Sequence, residues 1–88
     1  IPVVVPVITE AAEIYECVHS GDPATSNYTW FRQNSSSLPE GIKAEGNRLH
    51  FLQATSHLNG LYGCVVTNDK GTFVASLYRE RQEGILEK

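Results

Sequence analysis

The sequence predicts an all-β sandwich of about seven strands in Greek-key order. Three observations carry that reading: short strand-like runs separated by turn residues, the lack of a sustained helical period, and two cysteines flanking a single tryptophan. At 88 residues the chain has room for one small domain and not for two. Its 41% hydrophobic and 19% charged residues lie in the range of folding chains, away from the polar, highly charged compositions that stay disordered. A domain this small buries only about 60% of the surface its unfolded chain exposes, so a covalent crosslink would add needed margin.

Pro2 to Thr9 is rich in Val and Ile, and Pro2 and Pro6 each remove a backbone donor, which suits an edge strand. Glu10 to Cys17 is ambiguous, because its Glu-Ala-Ala-Glu opening favours helix while Ile14 to His19 reads as strand; the strand reading is preferred. Alternation from Cys17 sets Glu13 and His19 on the core face, which requires either a bulge or places at the rim. Ser20 to Pro23 is a turn, Tyr28 to Gln33 a short aromatic strand, and Asn34 to Gly41 a polar loop. After Gly46, Arg48 to Leu52 places Leu49 and Phe51 on one face, and Leu61 to Thr67 groups Tyr62, Cys64 and Val66. Asn68 to Gly71 is a hairpin turn. Phe73 to Arg79 is the last strand, with Phe73, Ala75 and Leu77 on one side and Val74, Ser76 and Tyr78 on the other. The expected division is one domain over residues 1–80 and a charged tail or linker over 81–88.

Cys17, Trp30, Tyr62 and Cys64 fall on three different predicted strands, in the order and at the intervals of an immunoglobulin-like sandwich of the C2 or I type. There a disulfide joins strand B of one sheet to strand F of the other, a strand C tryptophan packs on it, and a tyrosine two residues before the second cysteine turns its hydroxyl back to the backbone. Leu49 and Phe51 stand where strand E would add to the same core. A Cys17–Cys64 bridge would stabilise the fold by roughly 4 kcal/mol in the chain-entropy view. The alternative is a pair of buried free thiols in an intracellular sandwich of the muscle type.

Asn27-Tyr28-Thr29 and Asn34-Ser35-Ser36 both match the N-glycosylation acceptor pattern, so Asn27 and Asn34 are candidate modification sites. Together with the cysteine pair they favour an oxidising, extracellular setting.

The stretch from Asp22 to Gly71 resembles the membrane-proximal, third immunoglobulin domain of nectins and the related poliovirus-receptor group. The residues that carry the likeness are Asp22-Pro23-Ala24-Thr25, Ser37-Leu38-Pro39-Glu40-Gly41, Asn47-Arg48-Leu49-His50-Phe51, and His57-Leu58-Asn59-Gly60-Leu61-Tyr62-Gly63-Cys64 leading to Thr67-Asn68. Many immunoglobulin domains carry Asp four residues before the tyrosine, where this chain has Leu58, as nectin-like third domains tend to. The resemblance implies the ectodomain of a type I membrane protein, calcium-independent adhesion, and homophilic or nectin-like partners. It also implies a spacer role for a membrane-proximal module, with contacts in cis.

Other classes are disfavoured. Net charge is -3 and the seven Lys and Arg residues form no cationic run, so nucleic acid is not an expected partner. His19, His50 and His57 lack metal-ligand spacing, no serine sits in a catalytic motif, and the turn at Asn68 to Gly71 has one carboxylate, too few for calcium. No enzyme activity, metal or cofactor is expected. No run approaches the roughly 18 apolar residues of a membrane span, so an anchor in the parent protein is expected outside this segment. If Trp30 and Cys64 point inward, Phe31, Leu61 and Val65 turn outward on one sheet, giving a candidate contact face for a monomer or weak dimer. Two readings compete with the adhesion module: an immune receptor domain with a heterophilic ligand, and an intracellular structural module of a muscle or cytoskeletal protein.

Overall fold

The computed structural model describes residues 2–8 and 12–80. The ambiguous opening around Glu10 and the expected tail at 81–88 lie outside the described residues. Seven strands follow in order: β1 (Val3–Pro6), β2 (Glu13–Val18), β3 (Asn27–Arg32), β4 (Ile42–Glu45), β5 (Arg48–Phe51), β6 (Gly60–Asn68) and β7 (Gly71–Arg79). They form two antiparallel sheets, β1-β2-β5-β4 and β3-β6-β7. In immunoglobulin lettering these are A-B-E-D and C-F-G, the four-plus-three sandwich with its Greek-key crossings.

The local chemistry explains the elements. β1, with Pro6 in it, occupies an edge and pairs only with β2, where a missing donor does least harm. Asp22 caps a single 3-10 turn over Pro23–Thr25 by accepting the Ala24 N–H at 3.0 Å, with proline at the first turn position. The connection from β6 to β7 closes on Asn68, whose side chain accepts the Lys70 N–H at 2.8 Å. The strand β4 is an addition to the sequence reading, which left Ile42 to Glu45 unassigned. It forms a hairpin with β5 through Gly46 and Asn47, and Gly46 takes a left-handed φ of 57°.

Between the sheets, Cys17, Leu49 and Phe51 from one side meet Trp30, Tyr62, Cys64, Val66 and Ala75 from the other. Leu58, from the 3-10 turn between β5 and β6, closes the lower end of this core. Strand B does not bulge: Glu13 and His19 keep the core-facing parity and sit at opposite ends of the sandwich, each with a partner. His19 Nδ1 accepts the Gly21 N–H at 3.1 Å, while its Nε2 lies 2.6 Å from the Tyr28 hydroxyl on the facing sheet. At the other end Glu13 receives both arms of Arg79, the last residue of β7, at 2.8 and 3.0 Å.

Arg79 is 1% exposed, the most deeply buried charge among the described residues. Its Nη1 donors reach the Thr55 carbonyl and Asn59 Oδ1, both at 2.9 Å, and its guanidinium lies 4.7 Å from the centre of the Phe51 ring. A buried cation is tolerable only when its donors are well matched, and four of the five are matched here. The charge that ends the last strand is thus an inter-sheet tie.

Replacing Arg79 by Met should cost about 3–5 kcal/mol, because it takes the cation from the inward Glu13 carboxylate, which keeps the Tyr15 hydroxyl, and removes the donor to the Thr55 carbonyl. Pairing that change with Glu13→Leu should recover much of the loss, read as the urea midpoint of unfolding. A single variant within about 0.5 kcal/mol of the parent would show that the tie contributes nothing.

Candidate functional site

Three fixed points orient the three-stranded sheet. Cys17 and Cys64 are joined in a disulfide across the sheets, with Cα atoms 6.5 Å apart. Trp30 pairs with Cys64 across β3 and β6, is buried in the same core, and donates from Nε1 to the Gly46 carbonyl at 3.1 Å. The Tyr62 hydroxyl donates to the Leu58 carbonyl at 2.5 Å, locking the corner that leads into β6. Its ring meets Phe51 edge-on at 5.3 Å and lies under the Arg32 guanidinium. Burial pushes the Tyr62 phenol above its ordinary value of 10.0, although Arg32 and Arg79 pull the other way.

With Trp30, Tyr62, Cys64 and Ala75 inward, strand alternation fixes what faces away. Across β3, β6 and β7 the outward rows are Asn27, Thr67 and Thr72; Thr29, Val65 and Val74; Phe31, Gly63 and Ser76; and Gln33, Leu61 and Tyr78. No residue in these rows is charged. Leu61, Val74 and Tyr78 are exposed by 39, 56 and 65%, and Phe31 and Val65 are half-buried. Phe31 lies over Gly63, where an added Cβ would overlap the ring. A glycine in mid-strand leaves a hollow, and the neighbouring aromatic fills it.

The opposite outer face has a different character. Glu16 pairs with Arg48 at 3.5 Å, Glu45 contacts His50 at 3.3 Å, and Lys43 stands on the same side. Val3, Val5 and Val18 gather at its β1 edge, Ile14 is buried beside His50, and Leu52 is exposed after β5.

The structure brings Phe31, Leu61 and Val65 onto one face, and Val74 and Tyr78 join them. Those two were placed on the right side of β7 by alternation, but only the register, Val65 opposite Val74 and Leu61 opposite Tyr78, puts them beside the others. Asn27 opens β3 on this same face and is exposed; Asn34 is exposed in the turn after β3 with a left-handed φ of 62°. His19 and His50 are engaged as described and His57 is exposed in the turn before β6. Among the described residues no three His, Cys, Asp or Glu side chains gather to hold a metal ion.

No protein-family model matches the chain, and none of the curated proteins matches it. Solved structures do. The ectodomain of mouse nectin-like molecule 4, immunoglobulin domains 1 to 3, superposes with a TM-score of 0.72 at 23% identity, over 99% of this chain and 32% of that one. Extracellular domains 3–5 of Drosophila OTK superpose with a TM-score of 0.67 at 22% identity, over 88% of this chain and 26% of that one. The chain spans about a third of the first structure and a quarter of the second. At this identity the likeness establishes the fold: an immunoglobulin-like domain resembling those of nectin-like ectodomains.

Two outcomes follow from the geometry. Since burial favours the neutral phenol of Tyr62, its contribution to stability is complete below pH 10.0 and is lost as pH rises through the higher folded value. Unfolding midpoints should therefore fall above pH 10.0 in the parent, and less steeply in Tyr62→Phe, which should itself cost about 1 kcal/mol in neutral solution. In Gly63→Ala the Phe31 ring must swing off the sheet while the core stays packed. Ring-proton shifts of Phe31 should move and those of Trp30 should not.

Proposed function

We propose that the chain is a non-catalytic extracellular immunoglobulin-like module of a cell-surface adhesion or recognition receptor. It acts as a spacer and makes a homophilic contact through the outer face of the β3-β6-β7 sheet. Residues 1–80 are taken as the module and 81–88 as the segment joining it to the rest of a type I membrane protein. Partners are a second copy or related nectin-like receptors.

The observation that carries the contact is the absence of charge on an apolar face of a chain whose net charge is -3. Two such chains repel over most of their surfaces, but this face meets its own copy in a two-fold contact with no like charges opposed. Size sets the strength. Strand spacing and rise give a face on the order of 200–400 Å², well below the roughly 800 Å² per partner of a stable complex. A weak contact fits a receptor that gains avidity from many copies on one membrane. The disulfide and the exposed acceptors Asn27 and Asn34 support the extracellular setting.

Sedimentation of unglycosylated protein should reveal self-association in about the millimolar range. Val65→Ser combined with Val74→Lys should abolish it without changing the unfolding midpoint. A parent that stays monomeric at the highest attainable concentration removes the homophilic contact. Intact mass of secreted protein, with and without reductant and glycosidase, tests the setting separately: free thiols and bare asparagines would return the chain to an intracellular structural role.

A further inference from the structure

Asn27 stands in the first outward row of the three-stranded sheet, on the face just proposed as a contact. Its side chain is exposed, and none of the hydrogen bonds found for its neighbours holds it down. The Thr29 of the same acceptor tripeptide occupies the next row, beside Val65 and Val74. From Asn27 the Val65–Val74 row is about 7 Å away and the Phe31–Gly63 row about 13 Å, at the rise of an extended strand. A glycan core linked to Asn27 therefore starts at the polar margin of the face, with uncharged apolar ground directly beyond. The two N-acetylglucosamine units of that core have apolar ring faces and acetyl methyls. Val65, Val74 and, at the far end of their reach, Phe31 offer them an apolar bed, and Thr67, Thr72 and Ser76 offer hydroxyls at its border.

Asn34 has a different outlook. It lies in the turn after β3 with its backbone in the left-handed region, beyond the last paired residue of the sheet. Carbohydrate there leaves from the edge of the sandwich and does not start on the sheet's outer face.

We propose that Asn27 carries an N-linked glycan whose first sugars lie on the outer face of the β3-β6-β7 sheet, and that its occupancy governs whether this face is open to a second copy. The regulatory half rests on the homophilic reading given above; the seating of the sugars does not. The bond formed is the N-glycosidic bond from Asn27 Nδ2 to C1 of the first N-acetylglucosamine. The C1–O bond to the pyrophosphate of a lipid-linked oligosaccharide breaks, the lipid pyrophosphate departs, and the Nδ2 proton is given up to the transferase's base in a secretory compartment. Covering an apolar face in this way lowers the exposed hydrophobic area of the module when no partner is present.

The test uses the whole chain secreted from a eukaryotic host, beside Asn27→Gln and Ser36→Ala. The last removes the Asn34 acceptor without disturbing the left-handed residue itself. Glycopeptide mass should find Asn27 occupied in the parent, and nuclear Overhauser contacts should connect acetyl or ring protons of the sugars with Phe31 or Val74. Sedimentation should find self-association at least about tenfold tighter in Asn27→Gln than in the parent, with Ser36→Ala unchanged. A bare Asn27 in the secreted chain, or a glycan that gives no contact with these side chains, overturns the proposal. Equal association of Asn27→Gln and Ser36→Ala overturns its regulatory half. If the sugar contacts are found and Asn27→Gln nevertheless remains a monomer, the seating stands and the homophilic reading fails.

Discussion

The distance between the two sheets is set at one place, where Cys17 of β2 meets Cys64 of β6, and the remaining inter-sheet contacts are built outward from it. Around the bridge the core is apolar, with Trp30, Leu49 and Val66 excluding water. Toward each end the pairs that span the gap become polar. At one end His19 reaches Tyr28; at the other Glu13 holds Arg79. This gradient is what a thin two-layer domain permits. Polar groups can be inward-facing where the layers open to solvent, provided each donor and acceptor is matched. The Arg79 end goes further, because its guanidinium is sealed between Phe51 and the turn preceding β6 and still has partners for its donors.

That turn joins one sheet to the other and carries few apolar residues of its own. It is held by three side chains from elsewhere: Tyr62 through the Leu58 carbonyl, Arg32 through the Asn59 carbonyl at 2.7 Å, and Arg79 through Thr55 and the Asn59 side chain. Leu58, at a position where many immunoglobulin domains have Asp, enters the core, while the ion pair at this end is made by Glu13 and Arg79. The two outer faces then diverge. One is laced with Glu16–Arg48 and Glu45–His50 contacts, and the other is uncharged. The two sides of the sandwich therefore differ in charge, one carrying ion pairs and the other none.

What could be read from the chain followed from how local each signal was. The fold was legible because its markers are residue types at fixed offsets, Cys, Trp, Tyr and Cys, supported by alternation in β5, β6 and β7. β4 was not, since only Ile42 of its four residues is even half-buried, so no alternation marks it. Its one local sign was the Gly46-Asn47 pair between Glu45 and Arg48, a two-residue hairpin loop. Glu13 was recognised as inward-facing, but its tie to Arg79 was not, because Arg79 lies far along the chain and nothing local links them. The uncharged face was half legible: alternation found Phe31, Leu61 and Val65, but assembling them with Val74 and Tyr78 needed the β6–β7 register. The role of Phe31 as cover for Gly63 had no sequence signal short of that pairing.

Arg79 closes β7, so its tie to Glu13 sits where the polypeptide leaves the sandwich. Tension applied through a downstream segment would reach that anchorage before it reached the hydrogen bonds between β7 and β6. The load would pass into β2 on the far layer, and from there to the cysteine crosslink, in place of unzipping the outermost strand one rung at a time. Such a route lets the fold bear pulling without being peeled.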